Sequence, residues 1–321
     1  MSATGATLAA VPTDQRLLLL DTASLYFRAY FGVREPQPGP DGTPTNALRG
    51  LLDMVATLAT RFAPSHLVAC WDDDWRPEFR VAAIPSYKAH RLVPGTEDQE
   101  ETPDDLQRQV PVIRRTLEAV GIPVLGSPGY EADDVIGTLT ARHAGTMPVS
   151  VVTGDRDLFQ LVDDEAGVTV VYTARAGVRD AEVITQADLQ QRYGVGTGQG
   201  YADMAVLRGD TSDGLPGVKG IGEKTAAQLI ATYGSLAGLR EAVANGDPAL
   251  KGARRANLEA ASDYLDVAPD VVRVAPDAPL PDVPLTVPRE PADPGTLQQI
   301  IETYAVGGPV GRVLAALRIS V

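Results

Sequence analysis

The chain has a single cysteine, Cys70, among its 321 residues. It can therefore build neither an intramolecular disulfide framework nor a cysteine-rich zinc site. This usage fits a reducing compartment, and the cytoplasm is the expected location. Histidine is nearly as scarce, because His66, His90 and His143 stand alone along the sequence. No cluster of soft or imidazole ligands is on offer for zinc or copper. No run approaches the ~20 apolar residues of a membrane helix. Residues 1–15 lack the basic start and apolar stretch of a signal peptide and read as a flexible tail. A basic excess is also missing: 28 Lys and Arg face 42 Asp and Glu, for a net charge of −14. That sign disfavours a protein that grips nucleic acid over its whole surface. Any phosphate contact has to come from local basic patches, with acids gathered where cations neutralise them.

What is present is ordinary for a globular chain, with 44% hydrophobic and 22% charged residues. Apolar runs at Arg16–Asp21, His66–Trp71, Ile122–Leu125, Val149–Thr153 and Val168–Tyr172 read as buried strands. Helical periodicity fills Thr45–Thr60, Leu106–Val120 and Tyr130–Ala141 between them. This alternation predicts an α/β fold with a parallel, doubly wound sheet over residues 16–185. Helical segments dominate residues 186–270. Residues 271–321 begin with a Pro- and Asp-rich connector and end in a helix at Thr296–Ala305 and a docking segment at Val310–Ser320.

Three of the strands run into an aspartate: Asp21, Asp72 and Asp155. Ligands in open parallel sheets bind beyond the carboxyl ends of the strands. The helix opening Tyr130–Val135 adds Glu131, Asp133 and Asp134, and Asp157 follows Asp155 by two residues. Asp210 and Asp213 lie in the GDTSDG stretch that enters the helical region. These nine carboxylates can converge on one end of the sheet, where they would repel one another unless cations sat among them. Oxygen-only ligands suit Mg²⁺ or Mn²⁺. Two such ions about 4 Å apart can clamp a phosphodiester for attack by water.

The stretch LPGVKGIGEKT, residues 215–225, predicts a tight hairpin between two helices. Gly217, Gly220 and Gly222 permit the turn, while Lys219, Lys224 and Thr225 flank it. Backbone amides at the second helix start can cradle a phosphate without reading sequence. A second basic stretch, Arg76–Arg91, interleaves Arg76, Arg80, Lys88, His90 and Arg91 with Phe79 and Tyr87. That mixture suits a single strand, held by charge and by stacking on rings.

The strings GYEADDVIGTL (129–139), TGDRDLFQL (153–161), GDTSDGLPGVKGIGEKTA (209–226) and IPSYKAHR (84–91) together resemble the 5′ nuclease, or flap endonuclease, family. That family includes bacterial 5′–3′ exonucleases and the N-terminal nuclease domain of DNA polymerase I. The resemblance spans roughly residues 16–270. It implies a PIN-like nuclease core, a helical arch near 76–110 and a helix–hairpin–helix module that binds duplex DNA. By this resemblance Asp21, Asp72, Glu131 and Asp133 hold a first metal ion. Asp134, Asp155, Asp157, Asp210 and Asp213 hold a second. Lys88 and Arg91 match basic arch residues at the scissile phosphate, and Arg28 matches a basic residue on the helix after the first strand. Phe27 stands where relatives carry a Tyr that stacks on a terminal base. Arg80 and Tyr87 fall with the DNA contacts, and the hairpin glycines would hold a K⁺ ion beside the backbone.

The segment WDDDWR (71–76) departs from the family pattern, so Asp73 and Asp74 compete with Asp72 as ligand. Gly214 stands where many relatives have Asn. The resemblance implies 5′–3′ exonuclease and 5′-flap endonuclease action on DNA in replication and repair. The expected partners are DNA with a free 5′ end or flap and a separate polymerase and ligase; the protein is expected to be a monomer with no membrane. Two rival readings use the same residues. A non-catalytic DNA-structure binder would need a missing or displaced carboxylate. An RNA-cutting nuclease is disfavoured by the duplex-holding hairpin.

Overall fold

A computed structural model describes residues 15–32, 38–40 and 42–320. Apart from Gln15, the tail expected over residues 1–15 lies outside the described residues. The chain begins with strand β1 (Leu17–Asp21), helix α1 (Thr22–Gly32) and helix α2 (Asn46–Phe62). Strand β2 (His66–Cys70), the short helix α3 (Glu78–Ala83), helix α4 (Asp104–Val120) and strand β3 (Val124–Leu125) follow. Next come α5 (Ala132–His143), β4 (Val149–Thr153), β5 (Val168–Tyr172) and β6 (Glu182–Ile184). Six helices then succeed one another: α6 (Gln186–Tyr193), α7 (Gly198–Arg208), α8 (Glu223–Tyr233), α9 (Leu236–Ala244), α10 (Gly252–Ala260) and α11 (Ser262–Val272). Helices α12 (Pro294–Tyr304) and α13 (Gly307–Leu317) close the chain. None of the helices of the described residues is long and apolar enough to cross a membrane.

The sheet order is β3-β2-β1-β4-β5-β6. The first five strands are parallel, as expected, and β6 pairs antiparallel to β5. The sheet is therefore mixed. The edge strand went unread in the sequence because three residues, Glu182–Ile184, are too short to display a period. Strand order reverses between β1 and β4, which opens a crevice beyond their carboxyl ends.

Successive side chains of β1 enter opposite faces. Leu17 and Leu19 join one buried cluster, Leu18 and Leu20 the other. Both faces are covered, so the strand is apolar throughout. The second face is roofed by α1, α2 and α4, with α12 and α13 packed over them. The first face is covered by α5 and by the helical region. Its cluster runs from Val149 and Val151 through Phe159 and Tyr201 to Leu229 and Leu239. The helical region thus shares its core with the sheet. The expected boundary at residue 270 falls inside α11. The connector beyond it bonds alongside β2, with Leu67 donating to Leu285 and Val287 donating to Ser65.

A buried ion pair fastens this arrangement. Arg80 on α3 is 2% exposed, and its two terminal nitrogens donate to both oxygens of Asp134 at 2.7 and 2.6 Å. Its Nε donates to the Val271 carbonyl at 3.0 Å. Asp134, fully buried, also accepts from the backbone amides of Glu131 and Ala275. These contacts take both residues out of the roles expected for them. Arg80 cannot face DNA, and Asp134 is closed off from solvent, held by Arg80 and the chain after α11, and does not line the cleft that holds the other acids. Breaking one side of a buried pair strands the other charge. Asp134→Ala should lower the unfolding free energy by about 3–5 kcal/mol in urea denaturation. A loss below about 1 kcal/mol would contradict this account of the pair.

Candidate active site

The crevice at the β1–β4 reversal is a cleft of about 430 Å³. Asp21, Asp72, Glu131, Asp133 and Asp155 line it together with Lys88 and Arg91. Each arrives by a simple device. Asp21 ends β1, where its Oδ2 accepts from Thr153 Oγ1 at 2.6 Å and its Oδ1 from the Ser24 amide at 3.0 Å. Asp155 lies just past β4, its amide donating to the same Thr153 hydroxyl at 2.9 Å. Asp72 follows β2 and accepts from the Ala132 amide at the first turn of α5, 2.8 Å away. The three aspartates of WDDDWR differ in their partners. Asp72 is tied to the acidic helix, Asp74 accepts from the Arg76 amide, and Asp73, also on the cleft wall, reaches Arg114 at 3.5 Å.

Glu131 is the N-cap of α5. Its Oε1 accepts from Tyr87 Oη at 2.8 Å and its Oε2 from Lys88 Nζ at 2.7 Å. Tyr87 is 4% exposed, so it braces an acid and offers no ring to a base, contrary to the expected contact. Lys88 sits at φ 48, in the left-handed region that non-glycine residues seldom occupy. Its amide donates to the Asp213 carbonyl, and Ser86 Oγ donates to the Gly214 carbonyl at 2.7 Å. Gly214 has φ +72, and a Cβ there would stand 2.0 Å from the Ser86 carbonyl oxygen. Glycine replaces the expected Asn because the basic segment is sutured onto this loop. Of the span expected as an arch, residues 76–103 form α3, a turn through Ala89–Arg91 and a loop, whereas α4 belongs to the core through Ile113 and Leu117.

Asp157, Asp210 and Asp213 do not line the cleft itself but adjoin it through Asp155, whose charge acts on Asp157 together with theirs. Asp213 pairs with Arg91 at 2.7 Å. Arg208, at the end of α7, reaches Asp157 at 3.9 Å, Asp210 at 3.4 Å and Glu223 at 3.3 Å. Sequence reasoning missed Arg208, although it sits two residues before Asp210. It also missed Glu100, a cleft-lining residue in a loop whose acidic composition gave no distinguishing signal. Phe27 lines the cleft, and Arg28 donates to the Thr173 carbonyl beyond β5.

The hairpin lies between α7 and α8. Gly217 has φ +63, and a Cβ on it would fall 2.4 Å from the Arg208 carbonyl oxygen, so the turn closes against α7. Lys219, Gly220, Gly222 and Lys224 are exposed, and Thr225 is half-buried. Gly222 caps α8 with open space around it. The first-turn amides of α8 have no partner within the helix.

Charge is under-compensated in the cleft. Burial, with Asp155 as a secondary cause, pushes Asp21 up to about 6. Burial and Glu131 push Asp72 up to about 7. Burial and Asp155 push Asp157 up to about 8. Burial and Asp21 push Asp133 well above the usual carboxylate range. Lys88 is moved the other way: burial alone would lower it, but Glu131 and Asp213 raise it, so it stays charged. Among the described residues no three His, Cys, Asp or Glu are closed around one point. The acids instead face open space, with oxygen donors alone and more negative charge than Lys88 and Arg91 offset. That donor set fits hard divalent cations.

Two family models match the chain: 5′-3′ exonuclease, N-terminal resolvase-like domain, over residues 16–194, and 5′-3′ exonuclease, C-terminal SAM fold, over residues 197–294. A 5′-3′ exonuclease of Streptomyces coelicolor is 55% identical over 94% of this chain and 99% of its own length. A DNA polymerase I of Mycobacterium tuberculosis is 40% identical over 92% of this chain, which spans 32% of that longer protein. The fold is similar to that of the bacteriophage T5 D15 flap endonuclease solved with DNA and metal ions, at a TM-score of 0.62 and 17% identity over 94% of this chain and 99% of that one. The chain belongs to the 5′–3′ exonuclease family.

The raised acids set a pH dependence. A carboxyl that holds its proton more tightly folded than unfolded stabilises the fold at low pH and loses that contribution as pH rises through its folded value. For Asp21, Asp72 and Asp157 the loss begins near the ordinary value of 3.8 and is complete by about pH 6, 7 and 8 respectively. With divalent cations chelated, the melting temperature should drop by roughly 5 °C from pH 5.5 to 8.5, and Mg²⁺ or Mn²⁺ at pH 8.5 should restore it. A cation-insensitive melting curve would contradict a cation site here.

Proposed function

We propose that this protein is a 5′–3′ exonuclease that also cuts 5′ flaps, hydrolysing DNA phosphodiesters with two divalent cations, Mg²⁺ or Mn²⁺. The observation that carries this reading is the convergence of Asp21, Asp72, Glu131, Asp133 and Asp155 on one cleft that Lys88 and Arg91 also line. In this reading the first four hold one ion, and Asp155 with Asp157, Asp210 and Asp213 holds the other. When bound, such a pair supplies a water of lowered pKa and stabilises the leaving oxygen.

The chain's own residues do the rest. Lys88 and Arg91 offset charge on the scissile phosphate. Tyr87 and Thr153 fix the orientation of Glu131 and Asp21 by their hydrogen bonds. Phe27 offers a ring to the base beside the reacting phosphate. Lys219, Lys224 and the first-turn amides of α8 hold the phosphates of the adjoining duplex, with the hairpin glycines as the place for a K⁺ ion. Bases near the cut must unpair to enter, so a free 5′ end or flap is favoured over an intact duplex. The acidic net charge agrees with this, since cation-binding acids account for part of it and the basic residues needed are few. A monomer acting in the cytoplasm, with a separate polymerase and ligase, completes the proposal.

Cleavage of a labelled 5′-flap DNA in Mg²⁺ or Mn²⁺ tests it. Asp155→Asn should slow single-turnover cleavage by on the order of 10²-fold or more while circular dichroism stays native. An unchanged rate would remove Asp155 from the chemistry. Faster cleavage of an RNA flap would replace DNA as the substrate.

A further inference from the structure

Aromatic residues make up only 5% of the chain, yet Tyr26, Phe27, Tyr30 and Phe31 all stand on the eleven residues of α1. They do not share one task. Tyr26 packs inward on Trp71, with ring centroids 6.1 Å apart. Phe27 lines the cleft. Phe31, one turn further on, is 68% exposed, the most exposed large hydrophobic side chain among the described residues. Its ring lies within 12° of the plane of Phe27, at a centroid distance of 6.4 Å. Tyr30 meets it edge-on, 5.1 Å away at 83°.

Isolated exposed aromatics are common and need no explanation. This one continues a ring already in the active-site wall, in nearly the same orientation, and is braced by a neighbour. Burial in the core does not account for it, because the ring is turned to solvent. Exposed ring faces in nearly the same orientation on one helix suit the bases of a single strand. Stacking on rings is tolerant of sequence because every base has a π-face.

We propose that Phe31 is a second stacking platform, which takes the base of the unpaired nucleotide next to the one held at Phe27. The inference rests on the nuclease reading above and extends it by one nucleotide subsite. Phe31 acts in binding and stands apart from the reacting phosphate. It favours substrates with at least two unpaired nucleotides over those with one.

Single-turnover cleavage is measured across enzyme concentrations with two flap substrates, one with a single unpaired 5′ nucleotide and one with four. Phe31→Ala should raise the half-saturating concentration for the longer flap by about tenfold, leave the maximal rate unaltered, and leave the one-nucleotide substrate unaffected. Phe31→Trp should restore tight binding. An abasic site at the second unpaired nucleotide should weaken the wild type to the same extent and add nothing to the loss in Phe31→Ala. Equal losses on both substrates, independent losses from the variant and the abasic site, or no loss at all would overturn the platform while leaving the nuclease reading standing. A wild-type chain that cuts neither substrate would overturn both.

Discussion

The structure is organised around mutual repulsion among carboxylates. Asp21, Asp72, Glu131, Asp133 and Asp155 crowd the cleft at the point where strand order reverses. Burial raises the cost of charge on Asp21, Asp72 and Asp133, and neighbouring acids raise it further. Their positions are held nonetheless, by Thr153 for Asp21 and Asp155, by the Ala132 amide for Asp72, and by Tyr87 and Lys88 for Glu131. A fold that holds uncompensated acids in place is prepared for cations. Natural chains break the rule of locally favourable choices mainly at functional sites.

The rest of the molecule serves that constraint. The two-faced sheet supplies rigid strand ends, with Leu17 and Leu19 buried on one side and Leu18 and Leu20 on the other. The Arg80–Asp134 pair pins α3 to α5, so Glu131 and Asp133 are presented from an anchored helix start. The loop from Asp210 to Gly214 carries further acids and is bonded to Ser86, Lys88 and Arg91. Arg208 links those acids to Glu223 in the first turn of α8, so the hairpin and the cleft are physically continuous.

Much of this was legible in the sequence. Apolar runs ended by Asp21, Asp72 and near Asp155 announced strands leading to a ligand site, and the mostly parallel sheet followed from their alternation with helices. The glycines of the hairpin announced a tight turn. The unread parts share a cause: they depend on contacts between distant residues. Arg80 and Asp134 lie 54 residues apart, and no spacing rule joins them. Tyr87 looked like a stacking ring because its neighbours are basic, but the fold turns its hydroxyl onto Glu131. The tie between Asp72 and α5 depends on one amide in another element, that of Ala132. β6 was invisible because a three-residue antiparallel edge carries too little pattern.

The central claim is that these acids form a cage for two hard cations. Crystals grown with Mn²⁺ and measured for anomalous scattering test it most directly. The account predicts two peaks about 4 Å apart in the cleft, one against Asp21, Glu131 and Asp133 and the other against Asp155 and Asp157. A cleft without manganese peaks, in crystals of protein that cuts DNA in the same buffer, would contradict it.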